Sequence, residues 1–267
     1  MFKAMWLNLK EHTDNIYRIW QLGKNHMRKQ TIRTTLGLGW VFIRDMIYFS
    51  VFLGFRYLMA GGGKMDGMNL IVYLATGLVP WFFMNEVLTA GSNAIVANKA
   101  IVLSIQFPIG ILPTVEVLAI FMKRMFTLLF IFVPVIIFGH FKDINLLLFL
   151  YYFVSMFILM VVINQPLSAF IAISQDFEQL YTAIVRIMVF SMPIIWSFEY
   201  IAGKAWLMLL LKLNPMVYII MGFRDALVLG EMPDLEYTIY FWCAVLAIYA
   251  VGSFAQFKLK KYYADFM

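Results

Sequence analysis

Few residues in this chain have the types and spacing that chemistry needs. Asp176 and Glu178 form a compact acidic pair, in a short predicted turn with no companion histidine or lysine. Acid–base or transferase work by an intramembrane enzyme is the reading they would serve, and it lacks its other half. The three histidines, His12, His26 and His140, lie far apart, so no histidine metal motif forms. Cys243 is the single cysteine and sits in an apolar run, which excludes an intrachain disulfide or thiolate cluster and suits small apolar packing. No G-x-x-x-x-G-K-[ST] stretch occurs; Gly62-Gly63-Lys64-Met65 and Gly203-Lys204-Ala205 both fail it, so the chain has no P-loop for ATP.

The remaining chemistry-bearing groups are charges inside apolar runs: Arg44, Asp45, Glu86, Glu116, Lys123, Arg124 and Arg186. A charge at the centre of a bilayer costs about 2.5–3.5 kcal/mol, whereas a large aliphatic side chain returns only about 0.3–0.6. Arg44 and Asp45 must therefore sit near an interface or find partners. Glu86 can pair with Lys123 or Arg124 if consecutive antiparallel spans are neighbours; the alternative is a polar lining for a translocation path. Arg186 can snorkel to the cytoplasmic headgroups.

Composition says what must position these groups. The chain has 267 residues, 63% hydrophobic, 18% aromatic and 13% charged, with a mean hydropathy of +0.82. A soluble domain is about half apolar and a quarter charged. The apolar runs are long enough to cross about 30 Å of hydrocarbon and lack barrel-like alternation, so helices are the spanning element. The expected fold is an all-α integral membrane protein with six transmembrane helices, over 37–59, 70–96, 113–138, 146–173, 181–197 and 237–257. The third could start lower, because Lys123 and Arg124 interrupt it. The link 61–67 reads as a flexible turn.

Residues 1–35 carry seven lysines and arginines and no cleavable signal peptide. Wound as a helix, Ile16, Ile19, Trp20, Gly23 and Met27 share one stripe, while Arg18, Lys24, Arg28 and Lys29 lie on the other side. That is the pattern of a cytoplasmic amphipathic interface helix. It reads as a surface anchor, as a ramp gathering anionic lipid-linked substrate, or as both. Residues 205–213 and 216–228 are apolar but broken by Asn214-Pro215, and each piece is too short to cross. A re-entrant helical hairpin over about 203–230 competes with one kinked seventh span. Charge favours the hairpin: six spans put both termini in the cytoplasm, with eleven basic residues inside against five outside, and the tail 258–267 stays inside. The net charge of +6 follows from this orientation rather than from nucleic-acid binding.

Over nearly its whole length the sequence resembles the permeases of type-2 ABC exporters. The resemblance lies in Thr34-Thr35-Leu36-Gly37-Leu38-Gly39-Trp40, Gly77-Leu78-Val79-Pro80-Trp81 and Phe107-Pro108-Ile109-Gly110-Ile111-Leu112-Pro113. It continues in Gln175-Asp176-Phe177, Ser191-Met192-Pro193-Ile194, and Asn214-Pro215 followed by Phe223-Arg224-Asp225. Each is weak alone, and their order and spacing are specific. Within the family the chain looks like the polysaccharide-export branch, and most like permeases for wall teichoic acid, with O-antigen and capsule exporters as near relatives. Gln175 departs from it, since relatives often carry arginine there, so a charge-based role for that turn does not carry over.

The resemblance implies a bacterial plasma-membrane homodimer with two separate nucleotide-binding subunits that hold the ATP and magnesium, and no cofactor in the chain itself. The loop at about 97–110 would couple to the ATPase through Asn98, Lys99, Ser104, Gln106 and Phe107. Arg28, Lys29, Arg33 and Arg44 would attract the diphosphate of an undecaprenyl-linked polymer. Trp40, Tyr48, Trp81, Phe82 and Glu86 would line the path, because ring faces suit sugars. Asn214, Pro215 and Arg224 would gate the outer end. The rival readings are a drug or simple-lipid permease of the same superfamily, a non-transporting membrane scaffold, and an intramembrane transferase.

Overall fold

The computed structural model describes residues 1–32, 35–60, 63–104, 107–232 and 234–263. Its elements are helices apart from a two-residue-per-strand hairpin, β1 (Lys64–Met65) and β2 (Met68–Asn69). The helices are α1 (Phe2–Asp14), α2 (Ile16–Thr31), α3 (Gly39–Ala60), α4 (Leu70–Glu86), α5 (Ala94–Ala97), α6 (Lys99–Ser104) and α7 (Leu112–Leu129). They continue with α8 (Phe132–Ile137), α9 (Leu146–Ile171), α10 (Gln175–Met188), α11 (Ala205–Lys212), α12 (Pro215–Arg224) and α13 (Leu235–Leu259).

Among the described residues four helical stretches are long and apolar enough to cross a membrane: Leu70–Gly91, Ile109–Ile137, Leu146–Ile171 and Leu235–Tyr262. A fifth is added if the pair Ala205–Lys212 and Pro215–Leu229, bent by 96°, is one span. The chain is thus an all-α membrane protein. α3 has 22 residues, but Arg44, Asp45 and Arg56 interrupt its apolar character.

Side-chain caps start several of these helices: Asn69, Asn145, Ser174, Asn214 and Asp234 each accept a backbone N–H of the first turn. Prolines and asparagines explain where elements differ from the sequence expectation. The N-terminal segment is two helices, because Asn15 turns its amide back onto the Glu11 carbonyl, 2.8 Å away, at the join. The expected third span is interrupted at Phe130–Ile131, four and three residues before Pro134, which has no N–H to donate back. The expected fifth span, 181–197, is instead helical from Gln175 to Met188 and 3-10 from Val189 to Ser191. Pro193 forces Met192 into extended backbone (φ −111°, ψ 148°) and ends it. Asp176 and Glu178 therefore sit in the first turn of α10, where carboxylates complement the helix dipole, rather than in a loop.

The core is built around α4, whose residues from Val72 to Met84 are all buried. α3, α7 and α12 pack around it, and α9 pairs along its length with α13. Close approach depends on missing side chains. A Cβ on Gly222 would lie 2.0 Å from the ring of Tyr152, and one on Gly252 would lie 2.6 Å from Pro166. α2 is laid along α7: Ile19 clusters with Ile111 and Val115, Gly23 lies against Leu118, and Gln30 reaches Lys123. Successive α2 residues meet successive α7 residues, so the two run side by side in the same direction. Ile16, Tyr17 and Trp20 stay on the outer face, exposed to lipid or water.

Candidate functional site

A chain of ionic contacts joins α2, α3, α4 and α7. Arg124 of α7 donates to Asp45 of α3 at 2.5 Å and to Glu86 of α4, and Lys123 donates to the same Glu86. Lys123 also donates to Gln30 Oε1 of α2 at 2.7 Å. Gln30 in turn donates to Glu116 Oε1 at 2.8 Å, and His26 Nδ1 lies 2.9 Å from the other carboxylate oxygen. Asp45, Glu116 and Arg124 are buried; Asp45, Glu86, Lys123 and Arg124 each meet an opposite charge, while Glu116 is met by the His26 ring and the Gln30 amide. That is how α3, α4 and α7 carry charges that would otherwise be costly in hydrocarbon. The sequence suggested Glu86 with Lys123 or Arg124, and the fold brings both. It also separates Arg44 from Asp45: the carboxylate turns inward to Arg124 while Arg44 stays exposed. Gln30 was missed; its signal is the His26/Gln30 spacing of four, which places both on one helix face opposite Glu116.

The other predicted residues are distributed as follows. Arg28 and Lys29 are exposed in the last turn of α2, where cations complement the dipole; Arg33 lies outside the described residues. In the proposed coupling segment Asn98 donates its amide to the Ala94 carbonyl at 2.7 Å, Lys99 is exposed at the start of α6, and Ser104 ends that helix. Gln106 lies outside the described residues. Phe107 packs against two small apolar clusters, one with Ile95, Ile109 and Tyr263 and one with Ile19, Ile111 and Val115. It thus ties the segment after α6 both to the α2–α7 seam and to the end of α13. Leu103 of α6 is half exposed.

The aromatic residues assigned to the path divide. Trp40 and Tyr48 on α3 are half exposed, whereas Trp81 and Phe82 are buried on α4. Tyr48 and Phe82 still meet, with ring centroids 6.4 Å apart. Glu86 belongs to the ionic chain. Of the residues assigned to the outer gate, Asn214 caps α12 by accepting from Met216 N at 3.0 Å, and Pro215 is its first residue. Arg224, 5% exposed, stacks 3.6 Å above the Tyr73 ring and donates to the Tyr73 carbonyl at 3.5 Å. Tyr73 donates its hydroxyl to the carbonyl of Trp196, which fastens the turn-and-bend stretch 192–197 to α4.

Two polar assemblies had no counterpart in the sequence reading. The first joins α1 to the core: His12 Nδ1 lies 2.8 Å from the Asn8 carbonyl, and its Nε2 lies 2.8 Å from Thr114 Oγ1 and 3.3 Å from Gln165 Nε2. The carbonyl takes the Nδ1 hydrogen, so Nε2 is the acceptor for the other two. Burial lowers the His12 pKa below its usual 6.5 and keeps the ring neutral. Beside it a cavity of about 590 Å³ lies between α1, Ile109–Gly110 and the end of α13, with Lys260 paired to Glu11 at 3.4 Å on its wall. The second assembly is a hydroxyl ladder on rings. Trp242 Nε1 donates to Tyr151 OH, which meets Tyr218 OH, which meets Thr238 Oγ1, each at 2.9 Å.

The chain matches no family model. It is similar to a protein of Myxococcus xanthus described as an O-antigen export system permease protein, RfbA, with 21% identity over 202 residues. The match takes in 75% of this chain and 76% of that one. A helical membrane protein carrying a chain of ion pairs between its spans is thus a distant relative of a polysaccharide-export permease over three quarters of its length.

Proposed function

We propose that this chain is the permease subunit of an ATP-driven ABC exporter that moves a lipid-linked polysaccharide across the bacterial plasma membrane. The similarity to an O-antigen export permease over three quarters of both chains carries the reading. The cargo is a glycan on an undecaprenyl diphosphate carrier; the sequence resemblance favours wall teichoic acid, and O-antigen is the alternative. Two copies of the chain and two nucleotide-binding subunits form the machine, and the permease itself hydrolyses no ATP.

In this reading the four long apolar stretches, α3, and α10 with the turns that continue it cross the membrane, giving six spans with both termini in the cytoplasm. α11 and α12 dip in from outside and return. Arg28, Lys29, Arg33 and Arg44 gather the diphosphate at the inner surface, where basic residues are attracted to anionic headgroups. Closure of the ATPase subunits pushes on 98–107, and Phe107 passes the push to the two apolar clusters it packs against, at the α2–α7 seam and at the end of α13. Exposed Trp40 and Tyr48 offer ring faces to sugars as the path opens between two copies. Arg224, Asn214 and Pro215 hold the outer hairpin.

The test is co-purification of the tagged chain with a P-loop ATPase from the same cells, followed by ATP hydrolysis with and without lipid-linked polymer. Stimulation by the polymer and none by the bare sugar is expected. A chain that brings down no ATPase removes the proposal. So does nucleotide turnover by the chain alone, or an extracellular label reaching Lys258, Lys260 or Lys261.

A further inference from the structure

We infer that Lys123 is an exchangeable phosphate-binding cation, which leaves Glu86 and Gln30 to take the phosphate of a polyprenyl carrier. The inference rests on the proposed cargo and names a residue for it beyond the basic entrance. Asp45, Glu86, Lys123 and Arg124 contribute two charges of each sign, but their partners are unequally shared. Arg124 contacts both carboxylates and is 5% exposed in its side chain, so its departure would strand buried Asp45. Among the carboxylates Lys123 contacts only Glu86, and Glu86 keeps Arg124 if Lys123 lets go. Of the two cations, Lys123 is the one that can leave without orphaning a buried carboxylate.

Its second contact is also weak. Gln30 is a neutral amide near the end of α2, directly after Arg28 and Lys29. A phosphate oxygen carries charge and replaces a neutral amide oxygen to advantage, since hydrogen bonds between ions are about twice as strong as neutral ones. Lysine suits the exchange: three rotatable donors on a flexible stem, against the planar fork that fixes Arg124 between two carboxylates. The position suits it as well. Lys123 is eleven residues beyond Leu112, the first residue of α7, or about 16 Å along the helix axis. A diphosphate leaving the end of α2 meets it next.

The experiment uses the full chain in nanodiscs of zwitterionic lipid. The probe is geranylgeranyl diphosphate, with geranylgeraniol, inorganic diphosphate and phosphatidylglycerol as comparison arms. The wild type is expected to bind the diphosphate and not the alcohol. Lys123→Gln should weaken binding about tenfold, and Lys123→Arg should keep it within a few-fold. Glu86→Gln should tighten binding about threefold or more, because it removes the carboxylate that competes for Lys123 while Arg124 keeps Asp45. A merely structural ion pair would not produce that tightening. Full competition by inorganic diphosphate makes the anion alone the ligand, and competition by phosphatidylglycerol makes an ordinary headgroup suffice; either keeps Lys123 as the site.

If Glu86→Gln and Lys123→Gln weaken binding in parallel, or Lys123→Gln leaves it unchanged, the inference falls and the cargo reading stands. If the wild type binds alcohol and diphosphate alike, the cargo reading falls with it. Melting temperature and monodispersity of each variant separate lost binding from lost fold, and the arginine variant keeps the test decisive if the glutamine variant aggregates.

Discussion

Two of the polar joints between helices among the described residues are built from opposite materials. The ionic joint of α2, α3, α4 and α7 pairs charge with charge through Asp45, Glu86, Lys123 and Arg124, with Glu116, His26 and Gln30 at its edge. The aromatic joint of α9, α12 and α13 pairs hydroxyls laid on stacked rings. Tyr218 lies 4.4 Å from Phe241 between centroids, and Tyr237 donates to the Lys212 carbonyl at 3.1 Å. Charges attract at a distance and accept substitutes, so an ionic joint can trade partners with an anionic ligand. A hydroxyl bond is short and directional, and the rings beside it fill space that nothing else fits. The first joint is suited to change and the second to hold α12 in place.

The largest expected effect comes from breaking the ionic joint at its centre. Arg124→Ala leaves Asp45 buried without a cation and should cost about 3–5 kcal/mol, read as a fall in the melting point of the detergent-purified protein. Replacing Asp45 and Arg124 together by leucine and methionine should restore most of that loss, since a well-packed apolar pair in hydrocarbon carries no desolvation penalty. Gly222→Ala attacks the other joint by bulk. Its Cβ would overlap the Tyr152 ring, and a loss of about 3 kcal/mol is expected, with α12 displaced from α9. Detachment should show as faster labelling of a cysteine placed on α12.

A gentler cut sharpens the contrast. Trp242→Phe keeps a ring but loses the donor to Tyr151, and should cost about 1 kcal/mol at any salt concentration. If instead that variant proved more harmful than Arg124→Ala, the ranking of the two joints would reverse.

The smallest effect is at His12, beside neither joint. Its pKa is lowered in the fold, so the unfolded chain binds the proton more tightly. Stability contributed there is complete above about 6.5 and declines as pH falls below that value. The decline is at most about 1.4 kcal/mol per pH unit. Melting points taken between pH 8 and 5.5 should fall more steeply for the wild type than for His12→Asn.

Much of the scaffold was legible before the fold was known, for local reasons. Runs such as 146–171 can only be helices in a bilayer, and Asn214-Pro215 announces both a cap and a break. Local signals also misplaced things. Pro193 cut short the expected fifth span, and Asn15 split the N-terminal helix, because both act through backbone hydrogen bonds that hydropathy does not weigh. The candidate site was half visible. Glu86, Lys123 and Arg124 stood out because a charge in an apolar run needs a reason, while Gln30 is neutral and drew no notice.

By itself, then, the amino-acid order determined the solvent, the helical class and the existence of unpaired charges that the fold had to satisfy. Those follow from composition and run length, which are properties of a segment. Only the packed structure decided that Arg124 meets Asp45, 79 residues away, and that Lys123 shares Glu86 with it. Which cation reaches which carboxylate depends on how far each helix is rotated and raised against its neighbour. That rotation is set by contacts such as Gly222 on Tyr152 and Gly23 on Leu118, made between segments distant in sequence.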